Sequence, residues 1–354
     1  MDRIKVLEDK LGGSNYDAIL LTDVINVQYA TGFTGDESAV LMTKDGASLI
    51  TDSRFTEQAE QEVNINIVMH VGGLLKKAAE LAEAAGAKTL AFEADAMNYS
   101  DYAQLSEAFS GKLVPTTDFV ESLREVKDAD ETALIKKAIA IAEDGYQHVL
   151  NTIKPGMKEI DVATDLDFYM RKLGASSTSF ETIVASGARS AMPHGSATDR
   201  VMQEGDIIVL DWGSVYKGYD SDLTRTFALG KTDPKLDEIY RIVFEANRAV
   251  AAMMAPGVTG RGIHEAAHKV IDGAGYKQYF GHGTGHGIGR GIHEGPGAWG
   301  RYMATPQVVG NIETDEPGIY LPDLGGVRIE DDLLITANGN EQLSTVAPAE
   351  LLHL

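Results

Sequence analysis

The chain has no cysteine among its 354 residues. Disulfide scaffolds and thiolate metal sites are therefore excluded, and a reducing compartment is permitted. It also lacks any run of about 18 uninterrupted apolar residues, the length a membrane-spanning helix needs. Met1 to Gly13 is charged and helical in pattern, without the apolar region of a secretory signal. A cytoplasmic protein with no membrane partner is expected. Basic residues are scarce, since 31 Lys and Arg face 53 Asp and Glu for a formal net charge of −22. That field repels phosphate backbones and anionic lipid, so nucleic acid is not an expected partner. Part of the excess has a local use, because carboxylates gathered for cations count as negative until the cations arrive.

What remains is an ordinary globular composition, 44% apolar and 24% charged, in a chain long enough for two domains. From Ile4 to about Ser122 short apolar runs (Ala18–Leu21, Ala39–Met42, Ser48–Ile50, Ile65–Val68, Thr89–Phe92) alternate with helical patterns such as Leu74–Ala85 and Tyr102–Phe109. This predicts a small α/β domain over residues 1–122. The charged segment Leu123–Asp128 opens a long helix running to Ile153, and the second domain is placed at residues 123–354. There the strand-like runs Ile207–Ser214, Tyr219–Ala228, Ile319–Leu321 and Val327–Ile335 are separated mostly by tight turns. An antiparallel sheet backed by four helices, an α+β fold, is predicted rather than a doubly wound parallel sheet.

Two stretches of this region look like diverged copies. Glu204-Gly205-Asp206-Ile207-Ile208-Val209-Leu210-Asp211 aligns on its glycine with Val309-Gly310-Asn311-Ile312-Glu313-Thr314-Asp315-Glu316, which sets Asp211 opposite Glu316. Each copy follows an amphipathic helix and a Pro-Gly break, at Pro155-Gly156 and at Pro256-Gly257. A duplicated unit brings two acids to one pseudo-twofold axis, which argues for a binuclear metal centre. Asp222 lies across a hairpin from Asp211, with Gly213 and Gly218 as turn signals, and neighbouring strands run ~5 Å apart. A lone pair of aspartates reads more simply as solvated strand faces. Asp211, however, ends the apolar run Ile207–Leu210, where an unpaired charge is costly and a metal is a common remedy. Glu330 ends another strand-like run, with Arg328 on its face by period two. His282, His286 and His293 crowd a glycine-rich stretch that has no Gly-x-Gly-x-x-Gly spacing, and the bland alternative there is a flexible loop. Asp211, Asp222, Glu316, Glu330 and His286 form a hard donor set suited to Mn(II), Co(II) or Zn(II). His264-Glu265-Ala266-Ala267-His268 matches the zinc-protease pattern, but Ile263, Ala267, Val270 and Ile271 define the buried stripe. The two histidines are expected on a solvated helix face.

Pro193-His194-Gly195, Asp211-Trp212-Gly213, Tyr219-Asp220-Ser221-Asp222-Leu223-Thr224-Arg225-Thr226, Gly281 to Gly289, Ile292-His293-Glu294, Glu316-Pro317-Gly318-Ile319-Tyr320 and Gly326 to Asp331 together resemble the proline-specific members of the pita-bread metallopeptidases. The first domain resembles the creatinase-type N-terminal domain. The resemblance implies a pita-bread catalytic domain and two metal ions, Mn(II) first, on Asp211, Asp222, His286, Glu316 and Glu330. It also implies substrate handling by His194, His282, His293 and Arg328. The activity implied is hydrolysis of the bond between an N-terminal residue and proline by a water activated between the ions. Glu316 would carry the proton to the leaving nitrogen, and His194 and His293 would hold the carbonyl or the tetrahedral intermediate. Arg328 would order a carboxylate or the backbone beyond proline, or else form a structural ion pair with a nearby acid. Thr51 to Ala59 resembles small bacterial aminopeptidase P-like chains, so an Xaa-Pro aminopeptidase is preferred, with an Xaa-Pro dipeptidase as the alternative. A metal-free creatinase-like hydrolase or a non-catalytic binding protein is the reading from another class. Relatives commonly form homodimers, and a homodimer acting on proline-containing peptides is expected. Glu313 stands where relatives usually carry an apolar residue, and it reads as a surface-facing change or a distortion beside Glu316.

Overall fold

A computed structural model describes residues 2–354, which form two compact units, the first ending at Arg124 and the second beginning at Glu125. The first unit is built on a six-stranded sheet in the order Asn66–Met69, Gly46–Thr51, Ser38–Thr43, Ala18–Leu21, Thr89–Glu93, Lys112–Thr116. Both faces of its central strand are buried: Ile19 and Leu21 pack into one apolar cluster, Ala18 and Leu20 into another. That two-sided burial explains why Ala18–Leu21 reads as a continuous apolar run. The edge strand Lys112–Thr116 escaped the sequence reading because Pro115 interrupts its pattern, and an edge is where a strand tolerates proline.

The second unit repeats one plan twice. The helices Ala129–Thr152 and Glu159–Lys172 open the first copy, and Pro234–Met253 and Gly260–Gly273 open the second. Asp128 and Glu131 form a capping box on the first helix, while Asp233 followed by Pro234 starts the third. The pseudo-symmetry extends to single hydrogen bonds. Gly156 and Gly257, both at positive φ, donate to the carbonyls of Met202 and Gln307 at 2.8 Å each. Met202 and Gln307 donate back to Met157 and Val258, again at 2.8 Å. Asp206 and Asn311 then make matching side-chain turns, accepting from Gln203 N at 2.7 Å and Val308 N at 2.6 Å.

Each copy continues into its own sheet, so the single antiparallel sheet expected from the sequence is corrected to separate sheets of four and five strands with two small ribbons. In the first sheet Ile207–Trp212 lies between Ile183–Ser186 and Leu223–Ala228, with Leu352–His353 added in parallel at the edge. In the second, Ile312–Asp315 lies between His286–Gly287 and Asp331–Thr336. The long strands predicted from the sequence break at Gly213, at Ser221-Asp222 and at Ile329-Glu330. Gly213 is required at its break, since a Cβ there would fall 1.9 Å from the Ser221 carbonyl oxygen. Among the described residues no helix is long and apolar enough to cross a membrane.

The Gly213 contact is backbone against backbone and has little room to relax. Gly213→Ala is expected to destabilise the catalytic unit by about 3 kcal/mol. Urea unfolding of the metal-free protein measures this, and an unchanged midpoint would contradict the close approach.

Candidate metal centre and substrate cavity

The strand breaks deliver the acids. Asp211 is the Cα partner of Thr224 on one side and of Ile183 on the other. Asp222 stands at the break just before Leu223–Ala228, its backbone N–H donating to Asp332 Oδ2 at 3.2 Å. Glu330 stands at the equivalent break before Asp331–Thr336. It is bridged to Thr224, with its N–H on the Thr224 carbonyl at 3.1 Å and its Oε2 accepting from Thr224 Oγ1 at 2.7 Å. Glu316 follows Ile312–Asp315 and donates its N–H to the Thr284 carbonyl at 2.8 Å. The His286 N–H donates to Thr314 Oγ1 at 3.1 Å, which fixes the imidazole beside this second acid pair.

Ligand atoms of Asp222, His286 and Glu330 lie within 4.8 Å of one another. His286 Nε2 is 3.4 Å from Asp222 Oδ2 and 4.0 Å from Glu316 Oε1, while its Nδ1 faces the Gly287 carbonyl at 3.1 Å. With Nδ1–H donating to that carbonyl, the Nε2 lone pair is left toward the acids. Burial holds the His286 pKa down at about 3, so the imidazole is neutral and fit to ligate. The carboxyls move the other way. Burial first, then Asp211, raises Glu330 to about 8. Burial, then Glu330 and Asp211, lifts Asp222 well above the carboxylate range, and burial, then Glu330, does the same for Glu316. Burial also raises Asp211, against the opposing pull of Arg328, whose Nη2 donates to Asp211 Oδ2 at 2.6 Å. Asp211 Oδ1 and Asp222 Oδ1 are buried without a hydrogen-bond partner. Orphaned anionic oxygens beside a neutral imidazole are what a divalent ion would satisfy, and a pair of ions balances four carboxylates. The residues present fit a metal centre.

Asp211, Asp222, His286, Glu316 and Glu330 line one cavity of about 500 Å³ together with His194, His282, His293 and Arg328. All the residues singled out for the site are thus brought together. His194 and His293 are exposed, and the His293 ring sits 4.2 Å from that of His286, centroid to centroid. His282 Nε2 meets Tyr320 Oη at 2.9 Å, and burial lowers its pKa to about 4. Arg328 divides its donors among Thr224 Oγ1, the Pro193 carbonyl, Tyr320 Oη and Asp211, so the structural ion pair is what the structure contains. Thr224 and Tyr320 were given no role by the sequence reading. Thr224 stands two positions after Asp222, on the same strand face, and that period was the available signal. Phe180, Glu181, Ser196 and Trp299 also line the wall and carried no signal.

Two expectations change. His264 and His268 are half-buried rather than solvated: their Nδ1 atoms engage Thr284 Oγ1 at 2.8 Å and Asp272 Oδ1 at 3.0 Å, and His268 stacks on Phe280. Neither lines the cavity. Glu313 is not surface-facing, because only 1% of it is exposed; it sits behind His286 as the Cα partner of Gly287.

A duplicated helix and strand frame with a buried set of acids and one imidazole at its seam defines a metallopeptidase of the pita-bread class. The chain belongs to metallopeptidase family M24, which it matches over residues 133–337, and residues 3–126 match the creatinase/prolidase N-terminal domain. It is 44% identical to the uncharacterized peptidase YqhT of Bacillus subtilis, over 99% of this chain and 100% of that one. Among solved structures it is similar to an Xaa-Pro dipeptidase from Bacillus anthracis, with TM-score 0.96 and 43% identity over 100% and 99% of the two chains. It is also similar to an X-Pro aminopeptidase from Thermotoga maritima, with TM-score 0.92 and 36% identity over the whole of both chains.

Burial raises the Glu313 pKa to about 8, with Lys127 offsetting part of the shift. A carboxyl whose folded pKa exceeds its unfolded value near 4.5 stabilises the fold below that value, and its contribution is lost as pH rises through 8. Wild-type melting temperature should therefore fall more steeply between pH 5 and 8 than that of Glu313→Gln. Parallel melting curves would show that Glu313 is already ionised in the fold.

Proposed function

We propose that the protein is a metal-dependent exopeptidase that hydrolyses the bond between an N-terminal residue and a following proline. The observation carrying this reading is the convergence of a hard five-residue donor set with His194, His282, His293 and Arg328 around a single cavity. Asp211, Asp222, His286, Glu316 and Glu330 would hold two divalent ions, Mn(II) first and Co(II) or Zn(II) next. Such ions would supply a Lewis acid for the scissile carbonyl and lower the pKa of water.

The chain's own groups supply the rest. Glu316 keeps its carboxylate partly open to the cavity, with Oε2 4.0 Å from His282 Nδ1, and carries the proton from water to the leaving proline nitrogen. His194 and His293, exposed on the wall, donate hydrogen bonds to the carbonyl oxygen as it gains charge. Arg328 holds Asp211 Oδ2 and Tyr320 Oη at fixed positions, so Asp211 meets its ligand in one orientation. Within this reading an Xaa-Pro aminopeptidase is preferred, and the likeness to the Bacillus anthracis dipeptidase favours the second reading, an Xaa-Pro dipeptidase. A cytoplasmic homodimer completes the proposal, and sedimentation of the purified protein tests its assembly.

Metal-loaded protein should cleave Ala-Pro-Ala and lose activity on chelation, whereas cleavage confined to the dipeptide Ala-Pro would sink the aminopeptidase preference. Activity surviving complete metal removal would sink the metallopeptidase mechanism. Glu316→Gln should lower kcat by about 10²- to 10⁴-fold. Asp222→Asn should lower the bound metal itself, read by elemental analysis; full metal content in that variant would remove Asp222 from the ligand set.

A further inference from the structure

The cavity wall holds one carboxylate outside the proposed ligand set. Glu181 is exposed, lies between Phe180 and the Ile183–Ser186 strand, and its Oε2 accepts from Ser196 Oγ at 3.0 Å. Ser196 is itself fixed: it bridges to Ile183, and its carbonyl accepts from Arg189 Nη2 at 2.8 Å. Ile183 is the Cα partner of Asp211, so Glu181 stands two residues before the residue paired with that acid, on the same cavity wall. A carboxylate on that wall, near the acid cluster without belonging to it, is placed to meet a substrate side chain.

The wall offers no spare cation to balance this charge. Among the described residues, Arg328 supplies its only Lys or Arg, and the donors of Arg328 are engaged by Thr224, Pro193, Tyr320 and Asp211. Away from the proposed metal ligands and the histidines that face the carbonyl, Glu181 therefore favours a positive group on the substrate over a negative one. We propose that Glu181 is a specificity-determining residue that favours peptides carrying Arg or Lys immediately before the proline. The proposal rests on the Xaa-Pro reading and adds to it the charge of the preferred residue. Ser196 positions the Glu181 carboxylate.

The test compares kcat/KM for Arg-Pro-Ala, Glu-Pro-Ala, Ala-Pro-Ala and Ala-Pro-Arg in the metal-loaded wild type, Glu181→Gln and Glu181→Lys. The ratio of Arg-Pro-Ala to Glu-Pro-Ala within each variant is independent of how much enzyme is active. It is expected to be about ten-fold in wild type, to fall to about two-fold in Glu181→Gln, and to invert in Glu181→Lys. Because an attraction present in ground and transition states acts on binding, the change should appear in KM, and it should shrink from low salt to about 0.5 M. Ratios equal in all three proteins, or a preference only for Ala-Pro-Arg, overturn the proposal while leaving the peptidase reading intact. A wild type confined to dipeptides is compared on Arg-Pro against Glu-Pro with the same expected ratios, and failure to cleave these tripeptides and dipeptides alike overturns both.

Discussion

The burial of Asp211, Asp222, Glu316 and Glu330 beside one another is the constraint around which the catalytic unit is arranged. Burial first, and then the like charges of neighbouring acids, raise the pKa values of Asp222, Glu316 and Glu330. Arg328 answers Asp211 at 2.6 Å, and Thr224 gives Glu330 a single hydrogen bond at 2.7 Å. The remaining deficit is left open on buried oxygens of Asp211 and Asp222. A divalent cation would satisfy those oxygens and offset the cost of burying the acids together. The strand breaks at Gly213, Ser221-Asp222 and Ile329-Glu330 belong to the same arrangement. Asp222 and Glu330 each stand at such a break, just before a strand begins, and Thr224 ties the second break to the first sheet.

How far this was legible depended on whether a feature leaves a local mark. Charge at the end of an apolar strand marked Asp211, and glycine register marked Glu316 as its counterpart. The duplication reappears in space as matched bonds from Gly156 and Gly257. The sheet arrangement was less legible, because periodicity identifies strands but not which strands share a sheet. Pro115 hid an edge strand for a related reason: its pattern reflects a missing neighbour on one side.

Tertiary context alone explains the other departures. His264 and His268 sit on the polar stripe of their helix, yet Phe280 folds over that stripe and half-buries them. Glu313 occupies an inward position of a buried strand, where its neutral acid form is tolerated. No periodicity distinguishes a buried neutral glutamate from a surface one. Glu181 and Ser196 are silent for the opposite reason. Each is a common surface residue, and only the bridge between Ser196 and Ile183 brings the two onto the cavity wall.

The paired Pro-Gly breaks and matching Asp206 and Asn311 turns have a consequence for how the catalytic unit holds together. One half contributes Asp211 and Asp222, while the other contributes His286, Glu316 and Glu330. An ion seated among Asp222, His286 and Glu330 would clasp the two halves to each other. Cation uptake would then add to the cohesion that Arg328 on Asp211 and Thr224 on Glu330 already give the halves, and fragments severed between them would reassemble more tightly with the divalent ion than without it.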